Sequence, residues 1–560
     1  MLNGTDPNQE YSKPSGLDNL KLFLSRFSLK KILIASFILV LTVVIGIGVM
    51  IFLKNKNNSL PSSNQLSLSE LKKQLTPQIR SCIVQKLGKN EAKRLLEKAK
   101  ETKEIPPEAL QTIHSCLPSN PTDKVFLTQT TGGDSTGGVT ITTTTSMALG
   151  SFVRPQDIKS YCSNLQNYDS KYSWITISWQ AVEPSKGQFR LSQIDQWVNG
   201  LNSCGQELAA HVLSNARWAV KPVPEDIRKN QKHEPAMPAQ NQQDYYNFMF
   251  NLVQHYKGKI ARYAIENEAN ATQNWGATPE EYIQQLQTAY KAVHAADPNA
   301  LVEDSGFAST FYGVQVAYDI YQSGQQQKAI DFLNEFLAHY GEGQASSTQL
   351  INALQAGQTP PGLPFFNLLM KNSQYYDRLQ VHYYGPWQYM TTVTDFIHRK
   401  LAVNKTLDFL EMGYAWKGAP ENGYDSQVHA RDLVKLITTA FGEGADRIIQ
   451  FQFTDYAVSI GHLGLFDKSG NPRPAAISYK ITSEKLTGAV SAKRLSLGAN
   501  IWGYEFTKAG KSVFVVWSLA KTKVSLPLKG NLTVTDVLGN IKNVDADELF
   551  VDTSPVFIEL

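Results

Sequence analysis

Short β-like runs alternate with helical segments between Met147 and Ser483, and this alternation is what most constrains the fold. Eight such units predict a (β/α)8 TIM barrel, an α/β fold with a parallel barrel sheet. A doubly wound open sheet is the alternative, but no Gly-x-Gly-x-x-Gly motif follows the first run. The eight runs are Ala148–Phe152, Trp174–Ser178, Glu207–Leu213, Ala261–Glu266, Ala300–Asp304, Arg378–His382, Leu407–Leu410 and Arg447–Phe453.

The hydrophobic period changes to two after Lys485, which indicates a second domain. We predict an antiparallel β-sandwich over residues 485–560, following a barrel over residues 147–484. We expect this β-sandwich to pack against the barrel and to have a structural role. Sugar binding is the alternative. The strand-like runs and the hairpin turn are Ile501–Phe506, Val513–Trp517, Val556–Ile558 and Asp536–Asn540.

An uncharged apolar run from Ile32 to Leu53 has the length of a membrane-spanning helix, which needs about 20 residues. A cleaved signal peptide is the alternative, but the preceding segment is long and no small-residue cleavage site follows. Basic residues are more frequent before the run than after it, which favours a cytoplasmic N-terminus. We therefore predict a cytoplasmic tail (1–31), a single transmembrane helix (32–53) and an extracellular remainder in the cell membrane.

Two segments connect this predicted helix to the barrel. Residues 54–125 contain apolar residues at helical spacing, which predicts a short helical stalk. This stalk is expected to be a spacer or to bind a partner. Residues 126–146 are rich in Thr and Gly and predict a flexible linker.

Four cysteines are compatible with two disulfides outside the cell or with buried thiols, and the sequence leaves both open. The pairs in question are Cys82–Cys116 and Cys162–Cys204. No Cys-x-x-Cys or His-Glu-x-x-His spacing occurs, so no metal site or cofactor is predicted. The formal net charge is only +4, and no long basic run lies outside the juxtamembrane region, so nucleic-acid binding is not expected.

Polar groups at the C-terminal strand ends are the candidates for chemistry in such a barrel. Asn267-Glu268 closes the fourth run and Glu411 closes the seventh. The same dipeptide occurs at Asn90-Glu91 and Asn334-Glu335, but both of those lie in helical sequence. Hydrolysis of a glycosidic bond requires two carboxyls, one to protonate the leaving oxygen and one to attack or stabilise the anomeric carbon.

The chain resembles clan A glycoside hydrolases, TIM-barrel enzymes with catalytic glutamates after strands four and seven. The resemblance rests on Trp-x3-Glu-Pro-x2-Gly-x-Phe at Trp179–Phe189, on Asn267-Glu268, on His382-x-Tyr384 and on Glu411. It covers residues 147–560. Within the clan, the chain is most similar to family 39-like and cellulase-like members, which also carry a small C-terminal β-domain.

The resemblance implies a retaining enzyme with Glu268 as general acid/base and Glu411 as nucleophile. The two carboxyls should then lie about 5 Å apart. We expect Glu268 to be protonated and to have the drier surroundings of the two. The substrate-binding residues that the resemblance implies are Asn267, His382, Tyr384, Trp218 and Trp416.

Several positions depart from the family pattern. Ala216 stands where many relatives have proline, and Thr454–Tyr456 replaces a tryptophan that often follows strand eight. Glu266 would point the same way as Glu268 if the strand stayed regular, which would add a third carboxylate. The long segment Tyr312–Tyr376 reads as helices that overhang the barrel mouth. Glu183 is expected to be structural.

The sequence therefore predicts a membrane-anchored retaining glycoside hydrolase that cleaves an extracellular oligo- or polysaccharide. A catalytically inactive barrel that binds glycans is the alternative. In a third hypothesis, the function resides in the stalk as an interaction module. These residues do not identify the sugar, the linkage or the oligomeric state. They also do not distinguish exo from endo action.

Overall fold

The computed structural model describes residues 140–142, 146–230, 234–339, 344–401, 405–414, 424–456 and 462–560. The predicted tail, transmembrane helix and stalk lie outside these residues, as do most of the predicted linker, Trp416 and the Cys82–Cys116 pair. Within the described ranges, no helix combines the length and apolar character needed to cross a membrane.

The described residues form an α/β barrel followed by antiparallel sheet. The strands are β1 (Thr140–Thr142), β2 (Ala148–Ser151), β3 (Tyr172–Ser178), β4 (Glu207–Leu213), β5 (Arg262–Ile265), β6 (Leu301–Glu303), β7 (Leu379–Tyr383), β8 (Leu407–Met412), β9 (Ala445–Gln450), β10 (Ala489–Arg494), β11 (Ile501–Lys508), β12 (Lys511–Ser518), β13 (Thr522–Lys523), β14 (Asn531–Asp536), β15 (Ile541–Asp545), β16 (Phe550–Val551) and β17 (Val556–Glu559). The α-helices are α1 (Ile158–Asn167), α2 (Trp179–Val182), α3 (Ser192–Ser203), α4 (Glu225–Asn230), α5 (Gln242–His255), α6 (Pro279–Ala296), α7 (Ser309–Gln322), α8 (Gln326–His339), α9 (Gln344–Gln355), α10 (Leu363–Lys371), α11 (Met390–Lys400), α12 (Ser426–Gly442) and α13 (Pro474–Leu486).

Strands β2–β9 form the predicted (β/α)8 barrel. They pair in parallel as two four-stranded ladders, in the orders β3-β4-β5-β6 and β2-β9-β8-β7. A parallel bridge between Glu303 and Arg378 joins β6 to β7. At the other junction, the Ser173 hydroxyl donates to the Ser151 carbonyl at 3.2 Å, which links β3 to β2. The C-terminal strand ends therefore meet at one mouth.

Helix α6 illustrates how local sequence sets the elements around the barrel. Its first residue is Pro279, whose fixed φ suits the first helical position. Thr278 and Glu281 form a capping box, in which each side chain accepts a hydrogen bond from the other residue's backbone N–H. The apolar face of the helix, with Tyr282 and Leu286 fully buried, packs onto the barrel.

A buried ionic cluster lies in the barrel where the strands begin. The Arg262 side chain is only 2 % exposed and contacts the carboxylates of Glu303, Asp408 and Asp446. Burial raises the pKa of Asp408, while the Arg262 charge opposes that rise. Charges this deep require partners, and the arginine hydrogen-bonds to Asp408 and Asp446 while its charge lies 3.7 Å from Glu303.

The C-terminal strands build the predicted β-domain around a seven-stranded sheet of order β1-β10-β11-β12-β17-β14-β15. One face packs on the barrel, where Trp387 meets Trp502 and Trp517 edge-on. The other face carries its own apolar core, to which Phe514, Leu532 and Val551 of β16 contribute. Thr140–Thr142 lies in the predicted flexible linker, but these residues pair with Ser491–Lys493 as an edge strand, so the prediction is wrong for them.

The long segment between β6 and β7 is helical and consists mainly of α7 to α10. Helix α8 contacts the loop after β7, because Phe336 packs edge-on against Tyr383 and the Tyr389 hydroxyl donates to Glu335. Tyr383 ends a barrel strand, so the insertion packs against the part of the chain that leads into the barrel mouth.

A disulfide joins Cys162 in α1 to Cys204 at the end of α3. The two cysteines are 42 residues apart in sequence, so the bond closes a loop around β3. The alternative of buried thiols is therefore wrong for this pair.

Candidate active site

Glu268 lies three residues beyond β5, in a backbone segment that is no longer extended. Glu266 and Glu268 have φ of 67° and 43°, so the alternation of the strand ends at Ile265. The Glu268 N–H donates to the Ser305 carbonyl at 2.8 Å, which ties this turn to the end of β6. The turn sets the direction of both glutamate side chains.

Glu266 faces away from the other two glutamates and into the protein. Its carboxylate accepts hydrogen bonds from the Ser214 N–H at 3.1 Å and from the Gln285 amide at 2.9 Å. Burial raises its pKa to about 7 despite these donors. A regular strand would have directed Glu266 into the site as a third carboxylate. The left-handed backbone at Glu266 turns its side chain away instead.

Glu411 lies within β8, opposite His382 of β7 in the strand register. The Tyr384 hydroxyl donates to Glu411 Oε1 at 2.5 Å. The Tyr384 N–H in turn donates to the Ser309 hydroxyl at 2.8 Å, which holds the loop after β7 against α7. Adjacent parallel strands therefore bring His382, Tyr384 and Glu411 together.

His382 lies between the two glutamates. Its Nδ1 is 2.9 Å from Glu268 Oε1 and 3.3 Å from Glu411 Oε2. One carboxylate oxygen of each glutamate and a ring nitrogen of His382 all lie within 4.8 Å of one another. One oxygen of each predicted catalytic carboxyl thus lies within 4.8 Å of the other, where a retaining route implies a separation of about 5 Å.

The exposure of the two carboxyls runs opposite to our expectation. The Glu268 side chain is 15 % exposed and that of Glu411 is 9 % exposed, so Glu268 is not in the drier surroundings. Solvent exposure alone therefore does not identify Glu268 as the protonated carboxyl of the two. The difference in protonation between the two carboxyls therefore has to come from the hydrogen bonds around His382.

Gln380 and Asp304 form a buried layer beneath His382. Gln380 Oε1 is 2.5 Å from His382 Nε2, and its amide nitrogen donates to the Asp304 carbonyl at 2.9 Å. The Asp304 carboxylate accepts the N–H groups of Gln380 and Gly306 at 2.7 and 3.0 Å. Burial raises the pKa of Asp304 to about 7.

His211 is a site residue that the sequence analysis did not single out. It lies in β4, stacks on Trp174 at 4.6 Å and lies 6.3 Å from the His382 ring. Burial and the nearby His382 lower its pKa to about 3, against opposing effects of Glu411 and Asn267. His211 is therefore neutral near pH 7, and its side chain hydrogen-bonds with that of Asn267.

Trp218 lies in a different environment from the glutamates. Its indole N–H donates to the Glu183 carbonyl at 2.8 Å, and its ring lines a cavity of about 490 Å³ with Phe189 and Tyr246. Neither Glu268 nor Glu411 lines that cavity. Its predicted sugar stacking, like that of Trp416 outside the described residues, stays a prediction.

Glu183 has the structural contacts expected of it. Its carboxylate accepts hydrogen bonds from the Trp179 indole at 2.7 Å and from the Gly187 N–H at 2.6 Å. The Trp-x3-Glu-Pro-x2-Gly pattern therefore encodes a loop that the glutamate holds closed after β3.

Glu268, His382 and Glu411 offer donor atoms at a spacing that could surround a metal ion. Their facing atoms are, however, already engaged with one another and with the Tyr384 hydroxyl. The hydrogen-bonded arrangement suits proton transfer.

This barrel is similar to known sugar-cleaving enzymes in part of its sequence and in its fold. The sequence profile of glycosyl hydrolase family 10 matches residues 141–350, which include Glu268. A family 39 glycoside hydrolase from Bacteroides cellulosilyticus WH2 superposes with a TM-score of 0.51 at 14% identity, covering 74% of this chain and 81% of that one. A glucosidase from Croceicoccus marinus gives 0.49 at 12% identity, with 75% and 97% covered.

The profile match and the barrel fold agree with the resemblance recognised from the strand-end motifs. The chain is thus similar to glycoside hydrolases of the clan A type, in its sequence profile over residues 141–350 and in its barrel fold.

Proposed function

We propose that this protein is a retaining glycosidase that works through a covalent glycosyl-enzyme. The observation that carries the proposal is the close approach of Glu268 and Glu411, whose facing oxygens lie within 4.8 Å of each other. Retaining glycosidases hold their carboxyls about 5 Å apart, whereas inverting enzymes leave room for a water, at roughly 6.5–9.5 Å. The short separation supports attack by the enzyme itself.

In the first step, Glu411 attacks the anomeric carbon and forms a carbon–oxygen bond to it. The glycosidic bond breaks at the same time, and Glu268 donates its proton to the departing oxygen. The leaving group therefore departs as an alcohol, and Glu268 is left as a carboxylate.

In the second step, water replaces the enzyme at the anomeric carbon. Glu268 takes a proton from the water as its oxygen attacks, and the bond to Glu411 breaks. The sugar leaves with its original anomeric configuration, and Glu268 is again protonated.

Neighbouring residues support these roles. The Tyr384 hydroxyl holds one oxygen of Glu411, which leaves the other oxygen for the attack on the substrate. Asn267 directly precedes Glu268 and would hydrogen-bond the sugar 2-hydroxyl, an interaction that strengthens in the transition state. Trp218 and Trp416 would stack on further sugar rings.

The proposed substrate is an extracellular oligo- or polysaccharide. A cavity of about 310 Å³ is lined by residues that follow β7 and β8, including Trp387, Tyr389 and Tyr414. Aromatic walls of this kind suit the apolar faces of sugar rings beyond the one that is cleaved.

Membrane anchoring through residues 32–53 is part of the same proposal. The Cys162–Cys204 disulfide supports a location outside the cytoplasm, because such bonds persist in oxidising compartments. Protease treatment of intact cells that express the full chain should degrade the barrel and spare residues 1–31. Protection of the barrel would contradict this orientation.

A test of the nucleophile uses Glu411→Ala with a panel of nitrophenyl glycosides. We expect turnover to be lost and partly restored by added azide, which enters the space of the carboxylate and attacks the same carbon. Glu280→Gln serves as the control, since Glu280 is exposed on α6. Full activity in Glu411→Ala would refute the assignment.

The stereochemical outcome distinguishes the mechanism from inversion. Proton NMR of the wild-type reaction should show the first-formed sugar with the anomeric configuration of the substrate. An inverted first product would overturn the retaining route while leaving the glycosidase intact. Sugar binding in a calorimeter without any product would favour the inactive, glycan-binding alternative.

A further inference from the structure

We infer that Gln380 is a positioning residue that keeps His382 protonated on Nε2, so that its Nδ1 accepts the acid proton of Glu268. The inference rests on the proposed function, because it concerns how the acid is kept ready. The ring nitrogen of His382 that carries the hydrogen can also be identified without any turnover.

A hydrogen bond to the backbone of Asp304 fixes the orientation of the Gln380 amide. Its NH2 group donates to the backbone carbonyl of Asp304 at 2.9 Å, and a carbonyl can only accept. The amide oxygen must therefore face His382 Nε2, 2.5 Å away. A glutamine oxygen also only accepts, so the hydrogen in this contact belongs to His382 Nε2.

The other ring nitrogen then determines where the acid proton lies. In a neutral imidazole protonated on Nε2, Nδ1 is an acceptor. Glu268 Oε1 is its nearer carboxylate neighbour, at 2.9 Å against 3.3 Å for Glu411 Oε2. Glu411 also accepts the Tyr384 hydroxyl, which suits the ionised form. The proton therefore lies on Glu268.

The remaining groups around His382 do not reverse this assignment. His211 carries no charge near neutral pH, because burial and His382 lower its pKa to about 3. The pKa of Asp304 is raised to about 7 by burial, so its negative charge is incomplete in the neutral range. Tyr312, which faces Glu268 and Asp304, is neutral because burial raises the pKa of its phenol.

Gly306 encloses this arrangement. Its φ is +65°, and a Cβ at this position would lie 2.7 Å from two atoms of the His382 ring and 3.0 Å from Gln380 Oε1. The backbone of the β6 loop therefore closes directly on the hydrogen bond between the ring and the amide. The pair has little freedom to exchange partners.

The arrangement serves both steps of the reaction. A neutral Nδ1 gives no positive charge to the Glu268 carboxylate that remains after proton donation. That carboxylate therefore stays basic enough to take a proton from water in the second step. An imidazolium would stabilise the ionised Glu268, so that less of it would be protonated at rest and its carboxylate would be a weaker base.

The dependence on leaving group tests the inference. Gln380→Leu removes the acceptor at Nε2, and Gln380→Glu places a negative charge there, so both variants favour a hydrogen on Nδ1. We expect kcat/KM for a poor leaving group, such as an alkyl glycoside, to fall about 10- to 100-fold. For a dinitrophenyl glycoside, which departs without a proton, it should change by less than about 3-fold. The alkaline limb of the pH profile should move to lower pH in both variants.

Gln206→Leu is the matched control, since Gln206 is also a buried glutamine but is bonded to Ser170 before β4. It should lose stability without changing the dependence on leaving group. Equal losses for good and poor leaving groups in the Gln380 variants, with an unmoved alkaline limb, would overturn the inference.

A second measurement separates this inference from the proposed function. Nitrogen-15 NMR of histidine-labelled full chain, with His382 assigned by its loss in His382→Gln, should show Nε2 protonated in the wild type. Gln380→Leu should shift the hydrogen towards Nδ1. A wild-type His382 protonated on Nδ1 would refute the inference whether or not the protein cleaves a glycoside. If no glycoside is cleaved but the expected tautomer is found, only the proposed function fails.

Discussion

The Tyr384 hydroxyl lies 2.5 Å from Glu411 Oε1 and joins the loop after β7 to the end of β8. The contact fixes one oxygen of the proposed nucleophile and stabilises its ionised form, since donors favour a carboxylate over a carboxylic acid. The same tyrosine is anchored through its backbone to Ser309 of the helical insertion.

Tyr384→Phe should therefore reduce catalysis while leaving the fold intact. A hydrogen bond to a charged group contributes about 1.5–3 kcal/mol, so we expect kcat/KM to fall about 10- to 100-fold. The measurement is steady-state kinetics on an aryl glycoside, beside a thermal melt. Tyr376→Phe is the control, because that buried hydroxyl has no hydrogen-bond partner among the described residues. Equal kinetic losses in both variants would contradict the role of the Tyr384 hydroxyl.

Gly306→Ala should destabilise the protein and also abolish activity. The added methyl would meet the His382 ring at 2.7 Å in a backbone conformation that already disfavours alanine. Gly324→Ala provides the comparison, because its φ is +85° but nothing lies within 4 Å of the added atom. That variant should lose about 1 kcal/mol of stability and retain its kcat. If both variants keep full activity, the close fit around His382 is not required.

Stability should decline as pH rises through the window set by Glu266. Its pKa is about 7 in the folded protein against 4.5 ordinarily, so the folded state keeps a proton that the unfolded chain releases. The folded state is therefore favoured at low pH and loses this advantage between about pH 4.5 and 7.

Glu266→Gln should flatten that decline by up to about 3 kcal/mol, while Asp304 maintains part of it. Urea titrations at intervals from pH 4.5 to 7.5 measure the effect. The exposed Glu280→Gln should follow the wild-type curve. A Glu266→Gln curve parallel to the wild type would show that Glu266 does not carry the raised pKa.

The disulfide should matter for stability and little for chemistry. A bond between residues 42 positions apart restricts the unfolded chain by about 4 kcal/mol in the loop-entropy description. We expect Cys162→Ser with Cys204→Ser to lower the melting temperature and to preserve kcat/KM at low temperature. A large loss of activity in the folded double variant would point to distortion of the barrel mouth.

The barrel was predictable because each strand carries its own signal of short apolar runs bounded by turns. Glu268 and Glu411 followed from those runs, since parallel strands end at one mouth. The contacts of Gln380 and His211 did not follow, although Gln380 and His382 are two apart in one run and so share a face. Which of these side chains meet depends on barrel closure and on backbone turns after the strands.

Two expectations failed for reasons that local sequence does not show. Glu266 was expected to face the site, but a positive φ turns it towards Ser214. Thr140–Thr142 looks like linker because Thr- and Gly-rich sequence cannot build a core, yet an edge strand needs only a ladder to join. Its partner, β10, lies some 350 residues further along the chain.

The pairing of β1 with β10 determines how a mechanical load would enter this protein. Any pull on the chain before Thr140 reaches the antiparallel ladder of the C-terminal sheet before it reaches a barrel strand. Met147 adds a second clamp, since its N–H donates to the Ala489 carbonyl and its carbonyl accepts the Gly488 N–H, each at 2.8 Å. The small β-domain would thus take up tension on the preceding chain before that tension reaches the barrel strands.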